Sequence, residues 1–330
     1  MAAARKPEER GVALLIALLL ITVMSTVAYA VTDDIQFSIR RIANQRISAQ
    51  MTWYALGAEA MARKVVWASW KASPQRSTLA DPWAREGVAF PIDGGSMAGR
   101  ISDAGTCFNL NSVAERGPTG HYVASEGGRK QFVALLVALD YSRQQSQALA
   151  DAVVDWIDTD SAPSGAGAED DTYGLRAVPY RTGGTLLAET SELRAIAGFN
   201  EDIYQRLQPL VCALPTPDLT RLNVNTLRPD QAALLVMLTD GALRLSEAER
   251  MIAGRPAGGF TSLDRFFAQE ALAGIELSEA TRRQFVARSE YFQAETLVKF
   301  HGAAVTMTTL LHVDSGGRVS TLARRMGGLD

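Results

Sequence analysis

The chain is poor in the residues that soft metal centres and nucleophilic enzymes depend on. Its 330 residues include three histidines, His121, His301 and His312, and two cysteines, Cys107 and Cys212. The histidines are too few and too scattered for a zinc site. The cysteine neighbourhoods, CFNLN and VCALP, give no support to a Cys/His nucleophile. Charge of one sign is also lacking: 33 Lys and Arg stand against 36 Asp and Glu, a net charge of −3. That balance gives no broad attraction to nucleic acid or anionic lipid. Helix breakers are missing from the first quarter: no proline occurs between Pro7 and Pro74, and Gly57 is the only glycine between Gly11 and Gly87. Residues 12–31 carry no charge at all.

That uncharged run is long enough, at about 1.5 Å per residue, to span a bilayer core of about 30 Å. Arg5, Lys6 and Arg10 precede it, and Asp33 and Asp34 follow. The positive-inside bias places the N-terminus in the cytoplasm and the bulk of the chain outside it. A secretory signal cleaved near Ala28-Tyr29-Ala30 is the simpler alternative. Against it, the helical pattern continues past the run. Apolar residues recur at Ile35, Ile39, Ile42, Ile47, Met51, Tyr54, Ala58, Met61 and Val65, mostly three or four apart. Arg40, Arg41, Arg46, Glu59, Arg63 and Lys64 fall largely off that stripe. The spacing predicts one helix from about residue 12 to about residue 70, half in lipid and half packed on a soluble domain.

Beyond it, 74–95 reads as a loop, with Pro74, Pro82, Pro91 and Gly94-Gly95. Met97 to Asn111 predicts a strand pair around a turn at Asp103-Ala104-Gly105. Two helices are expected over 131–157, another over 191–210, and two or three short ones over 223–264. The stretch around Val298, Phe300, Val305, Met307 and Leu310 predicts strands, Gly316-Gly317 a turn, and RRMGGLD a frayed end. No long internal repeat is visible. The order is helix, strands, helical block, strands. It predicts an α/β domain, 32–111 with 287–330, interrupted by an inserted all-α domain, 112–286.

Residues 155–174, DWIDTDSAPSGAGAEDDTYG, hold six carboxylates and no base: Asp155, Asp158, Asp160, Glu169, Asp170 and Asp171. Composition alone leaves two readings, a solvated acidic loop or a site for a hard divalent cation. It is not an EF-hand, because the ligand spacing is absent. The two thiols can form one disulfide in an oxidising compartment, or stay as two separate buried thiols. By the chain-entropy argument, a bond between Cys107 and Cys212 would contribute about 4–5 kcal/mol.

A short basic leader, a glycine, then an apolar helix continuing as an amphipathic one resembles a type IV prepilin or pseudopilin. Ile16 stands where most such proteins carry Glu at the fifth mature position. That departure, FNLN at 108–111, the D-W-I-D-x-D…G-A-E-D-D-x-Y loop and LNVNT at 222–226 resemble the minor pseudopilin K family of type II secretion systems. The resemblance implies a pilin-like α/β fold: a long N-terminal helix plus antiparallel sheet, with a large inserted helical domain. It implies cleavage of a leader, residues 1–11, between Gly11 and Val12, and N-methylation at Val12. It implies structural calcium held by Asp158, Asp160, Glu169, Asp170 and Asp171, with Asp155 as a capping or supporting group. The implied role is structural and not enzymatic. The protein would sit at the tip of a periplasmic pseudopilus, anchored in the inner membrane, starting assembly and limiting length. Its partners would be minor pseudopilins I and J, other pseudopilins, exported substrate and the outer-membrane secretin. Ile16, Ile35, Ile39, Ile42 and Met51 on the helix would carry partner binding.

One rival reading comes from LNVNTLRPDQAALLVML, which resembles the opening of helix-hairpin-helix modules that grip DNA phosphates. GRPAGGFTSLDRFF at 254–267 resembles the later half of that motif. The expected basic patch is missing, since Asp230, Asp240, Glu247, Glu249 and Asp264 balance Arg228, Arg244, Arg250, Arg255 and Arg265.

Overall fold

The computed structural model describes residues 7–85 and 87–327. The expected leader therefore lies partly outside the described residues, as do the last three residues of the chain. One helix, α1 (Pro7–Ala72), runs without interruption for 66 residues, or about 100 Å. With no internal proline, nothing breaks its hydrogen-bond ladder.

The soluble half of α1 buries a stripe formed by Met51, Ala55, Glu59, Ala62, Val66 and Ser69. The stripe is rotated from the expected one. Tyr54, Ala58 and Val65 are only half-buried at its edges, and Met61 is exposed. Small residues at 55 and 62 let the sheet approach the helix closely. Glu59, expected off the stripe because it is charged, lies in its centre and is 3% exposed. Its Oε1 accepts from Thr321 Oγ1 at 2.8 Å and from the Arg324 guanidinium at 2.9 Å, while Oε2 accepts from Arg324 Nε. The Arg324 hydrogen bonds hold the Glu59 carboxyl below its ordinary pKa, against the opposing effect of burial.

The sheet that covers this stripe is antiparallel and five-stranded. It is built from β1 (Val88–Ile92) and β2 (Gly95–Asp103), and from three strands near the C-terminus that come after the insert. β1 lies inside the expected loop: Pro91 and Gly94-Gly95 hide it, but Pro91 sits on an edge strand and the glycines make the turn. Gly94 has φ +80°, and a Cβ on Gly95 would lie 1.9 Å from the Lys299 carbonyl oxygen. No strand pair forms around Asp103. The chain leaves the sheet there, with Asp103 Oδ1 accepting from Gly105 N at 2.7 Å.

The insert begins with β3 (Phe108–Asn109), a hairpin of β4 (Ala114–Arg116) and β5 (Tyr122–Ala124), then α2 (Glu126–Ala138) and α3 (Arg143–Ile157). Next come α4 (Asp170–Gly174), α5 (Glu201–Leu207) and β6 (Val211–Cys212), which pairs in parallel with β3. The second half runs from β7 (Leu222–Asn223) through α6 (Ala233–Leu238), α7 (Leu245–Ala253), α8 (Leu263–Phe267) and α9 (Glu279–Arg282) to β8 (Phe285–Val286). β8 pairs in parallel with β7. The insert is thus mainly helical, not all-α: short ladders close each half. One apolar core joins the halves, from Phe108 to Phe285, separate from the two clusters under the sheet.

The chain then returns as β9 (Tyr291–Phe300), β10 (Ala303–Val313) and β11 (Val319–Met326), giving the order β1-β2-β9-β10-β11. His301 and Gly302 both have positive φ, as a two-residue hairpin needs. Phe292, Ala294, Val298, Met307, Leu311 and Val313 form the buried face, alternating along their strands. Arg324 to Met326, expected to fray, belong to β11.

The two halves of the insert open on a short repeat, FNLNSV at 108–113 and LNVNTL at 222–227. In each, the first asparagine's Oδ1 accepts from the backbone amide of the second, at 3.3 Å in the first half and 2.9 Å in the second. Asn111 then clamps the peptide groups of Leu187, donating to its oxygen at 2.9 Å and accepting from its nitrogen at 2.7 Å. Asn225 does the same to Phe260, at 3.3 and 2.6 Å. Cys107, just before β3, and Cys212, in β6, form a disulfide with Cα atoms 5.7 Å apart and a sequence separation of 105.

The Glu59–Arg324 pair ties α1 to the edge strand β11. Glu59→Ala should destabilise the sheet domain by about 1–3 kcal/mol. In a urea-unfolding double-mutant cycle with Arg324→Ala, the two losses should be clearly non-additive; additive losses would show that the pair does not hold the strand to the helix.

Candidate functional site

Two features on this frame are left incomplete by the chain itself. The first is the acidic loop between α3 and α4. Asp151 and Asp155, one turn apart on α3, reach inward and hold the loop by its backbone. Ser164 N donates to Asp155 Oδ1 at 2.9 Å, and Ala166 N donates to Asp151 Oδ2 at 3.1 Å. Glycine is required where the loop meets these carboxylates: a Cβ on Gly167 would lie 1.9 Å from Asp155 Oδ2. Arg129 neutralises Asp151.

The loop so held brings Asp158, Asp160 and Glu169 together, each offering an oxygen within 4.8 Å of the others. Asp158 is 3% exposed and Glu169 7%, whereas Asp160 faces solvent. Three buried carboxylate oxygens here, Asp155 Oδ2, Asp158 Oδ1 and Glu169 Oε1, have no hydrogen-bond donor. Buried, unpaired carboxylates are costly. Burial pushes both Asp158 and Glu169 up to about 7, helped by repulsion from Asp160 and Asp155 in both cases, from Glu169 for Asp158 and from Asp170 for Glu169. Burial also raises Asp155. An oxygen-only set of this charge suits a hard divalent cation.

Two of the five expected ligands stand apart. Asp170 spends Oδ1 on Thr182, accepting from its amide at 2.9 Å and its hydroxyl at 3.1 Å, and faces Arg181 at 3.8 Å. Asp171 points to solvent from the first turn of α4. Asp155, read from sequence as a supporting group, contributes an unpaired oxygen as well as support. Its helical position, one turn before the loop, concealed that.

The second feature is α1. Ile16, Ile35, Ile39 and Ile42 are all at least half exposed. Successive helix residues rotate by about 100°. Ile35, Ile39, Ile42 and Trp53 therefore lie opposite the Met51–Ala55–Ala62–Val66 stripe. Trp53 is 71% exposed. Met51 does not belong to this face. It packs on Ala55, Val298 and Met307 in the chain's own core, so it is not available to a partner. Residues 12–31 are uncharged and exposed, and the helix from Gly11 is the one span among the described residues that is long and apolar enough to cross a membrane.

The LNVNT segment lies at the neck between sheet and insert. Asn223 donates to Ser77 O at 3.0 Å and Ser289 Oγ at 2.8 Å, and Thr226 Oγ1 donates to Asp103 Oδ2 at 2.6 Å. Ser289 also donates to Asp103, whose carboxyl is raised by desolvation. The segment's polar groups are consumed within the chain.

Comparison with known proteins agrees with this frame. Two family models described as type II secretion system protein K match residues 106–216 and 222–288, one for each half of the insert. Type II secretion system protein K of Klebsiella pneumoniae is 36% identical over 319 residues, covering 97% of both chains. That of Pectobacterium carotovorum is 34% identical over 324 residues, covering 98% of both. A chain in the crystal structure of the GspK–GspI–GspJ complex of enterotoxigenic Escherichia coli superimposes with a TM-score of 0.76 at 30% identity. The match covers 88% of this chain and all of that one. The long helix, the sheet, both halves of the insert and relatives matched along nearly their whole length make the chain a member of the type II secretion system protein K family.

Proposed function

We propose that this minor pseudopilin of a type II secretion system caps the tip of the periplasmic pseudopilus, together with minor pseudopilins I and J. One observation carries the reading: α1 leaves its apolar residues from Ile16 to Ile42 uncovered by its own chain, with Ile35, Ile39 and Ile42 opposite the stripe that packs on the sheet. Uncovered apolar helix surface of this length calls for lipid at one end and partner helices beyond it. The GspK relative is seen in a complex with GspI and GspJ. Ile16 in place of an acidic residue suits an end subunit, because a carboxylate there would need a cationic partner above it. The bulky insert would block stacking above while leaving growth below open, which starts the filament and limits it. Asp33 and Asp34 beyond the span, with Arg5, Lys6 and Arg10 before it, support a single-pass inner-membrane anchor with the folded part in the periplasm. Cleavage after Gly11 and methylation of Val12 belong to the same reading. The tip position would bring the insert toward exported substrate and the secretin. The structural role needs no catalytic chemistry.

The loop would hold calcium through Asp158, Asp160 and Glu169, with Asp155 nearby. A bound calcium ion would supply the positive charge that these carboxylates lack. The residues' own task is to present oxygens on a frame set by α3 and Gly167.

Ile39→Asp with Ile42→Asp should abolish co-purification with I and J and leave the melting temperature of the soluble part unchanged; retained association would refute the interface. Replacing Gly11 with Leu should leave the leader attached, and a mature N-terminus still at Val12 by sequencing would refute the processing.

The calcium reading has a pH signature. Asp158 and Glu169 have folded pKa values of about 7, above ordinary values of 3.8 and 4.5. Such acids contribute stability that is full below their ordinary range and lost as pH rises through about 7. With chelator, the melting temperature should therefore be lower at pH 8 than at pH 5.5 by roughly 5 °C. With millimolar calcium the order should level or invert, because fewer protons compete for the carboxylates. Asp158→Asn with Glu169→Gln should remove both effects. Identical melting with calcium and with chelator at pH 8 would exclude the site.

A further inference from the structure

The outward face of α1 does not end at Trp53. Further along it lies a groove lined by Arg63, Lys64 and Trp67 of α1 and by Arg318 of the β10–β11 turn. We propose that this groove receives an acidic segment of a neighbouring pseudopilin. The proposal rests on the docking reading above and extends it to the far end of the helix.

The groove is built, not incidental. Asp314 Oδ1 accepts from the backbone amides of Gly316 and Arg318, both at 2.9 Å, which fixes the turn. Gly317, at φ +82°, lets the turn lie flat on Trp70, whose ring stands 2.3 Å from where a Cβ would be. Arg318 is thereby held facing α1. Trp67 forms an aromatic wall, with Lys71 Nζ 5.2 Å from its ring centre.

These cations are only partly paired. Among the described residues, Lys64 and Arg318 make no ion pair. Arg63 reaches Glu59 only at 4.0 Å, and both Glu59 oxygens are already engaged by Arg324 and Thr321. Two cations without an ion pair, Lys64 and Arg318, and the loosely paired Arg63 thus flank one groove in a chain of net charge −3. Like charges gathered in one groove repel one another, so an anionic occupant is the natural counterpart. A lipid surface is out of reach, because roughly 50 Å of helix separates Lys64 from Val31. A neighbour lying along Ile39, Ile42 and Trp53 would bring its own surface directly to the groove.

The test uses the full chain in detergent and the soluble domains of I and J from the same system, with affinity measured at 50 and 500 mM NaCl. Wild-type affinity should fall about ten-fold across that range. Lys64→Glu with Arg318→Glu should weaken the low-salt affinity about ten-fold and remove most of the salt dependence, with melting unchanged. A variant indistinguishable from wild type at both salts overturns the groove. Competition by a short DNA duplex as strong as that by an acidic peptide overturns the choice of occupant. Ile39→Asp separates the two readings. If it abolishes binding while the groove variant behaves as wild type, the docking face stands and the groove falls. If it binds as wild type, the docking face falls, and the groove variant's salt dependence still decides the groove by itself.

Discussion

A helix that must satisfy its own backbone in lipid cannot be interrupted, and everything else in this chain is arranged around that constraint. α1 continues unbroken into the soluble part, so the sheet has to find its core on the side of a finished rod. It does so with a narrow stripe in which Ala55 and Ala62 allow close approach, and with one buried charge, Glu59, gripped by Arg324 of β11. A lone buried carboxylate would be costly; paired to a guanidinium and a hydroxyl, it fixes which residues of helix and strand meet. Because the sheet covers only one side of the rod, and only from about Met51 onward, the opposite face keeps its isoleucines and Trp53 exposed. On the proposed reading, anchoring and assembly would be two uses of the same uncovered surface.

The insert answers a different problem. It must leave the sheet at Asp103 and return to it at Tyr291, on the adjacent strand directly beside the point of exit, without loosening either end. Buried amides achieve this. In both halves an N-x-N pair sits at a short parallel ladder, and its second asparagine seizes both backbone polar groups of a distant residue, Leu187 in one half and Phe260 in the other. A buried amide is favourable only when fully paired, so each pair tolerates few alternative packings. The second pair also joins Ser77, Ser289 and, through Thr226, Asp103, which closes the neck.

Much of this was legible in the sequence, for identifiable reasons. The helix declared itself by the absence of breakers, and β9 and β10 by alternation. The rotation of the buried stripe was hidden by Glu59, since a charge reads as solvent-facing until its partner 265 residues away is known. β1 was hidden because a proline on an edge strand and glycines at a hairpin look like a loop. The strand at Phe108 was visible, but its partner Val211 lies far along the chain, so the nearer β2 was the natural and wrong choice. The repeat is faint in the sequence because it spans six residues and works through side-chain geometry, not through length.

The acidic loop shows the same limit at a finer scale. Six carboxylates in sequence say that charge must be dealt with, but not how. Three answers appear within the loop: Asp155 gives one oxygen to Ser164, Asp170 turns to Thr182, and Asp171 turns to water. Asp158, Asp160 and Glu169 are left facing one another, with two of them buried. The fold has therefore sorted like residues into those that it satisfies internally and those that it does not. The exposed isoleucines of α1 have been sorted in the same way from Met51, which the chain keeps for its own core. In both places the residues left over mark where something outside the chain would complete it: charge at the loop, and apolar surface along the rod.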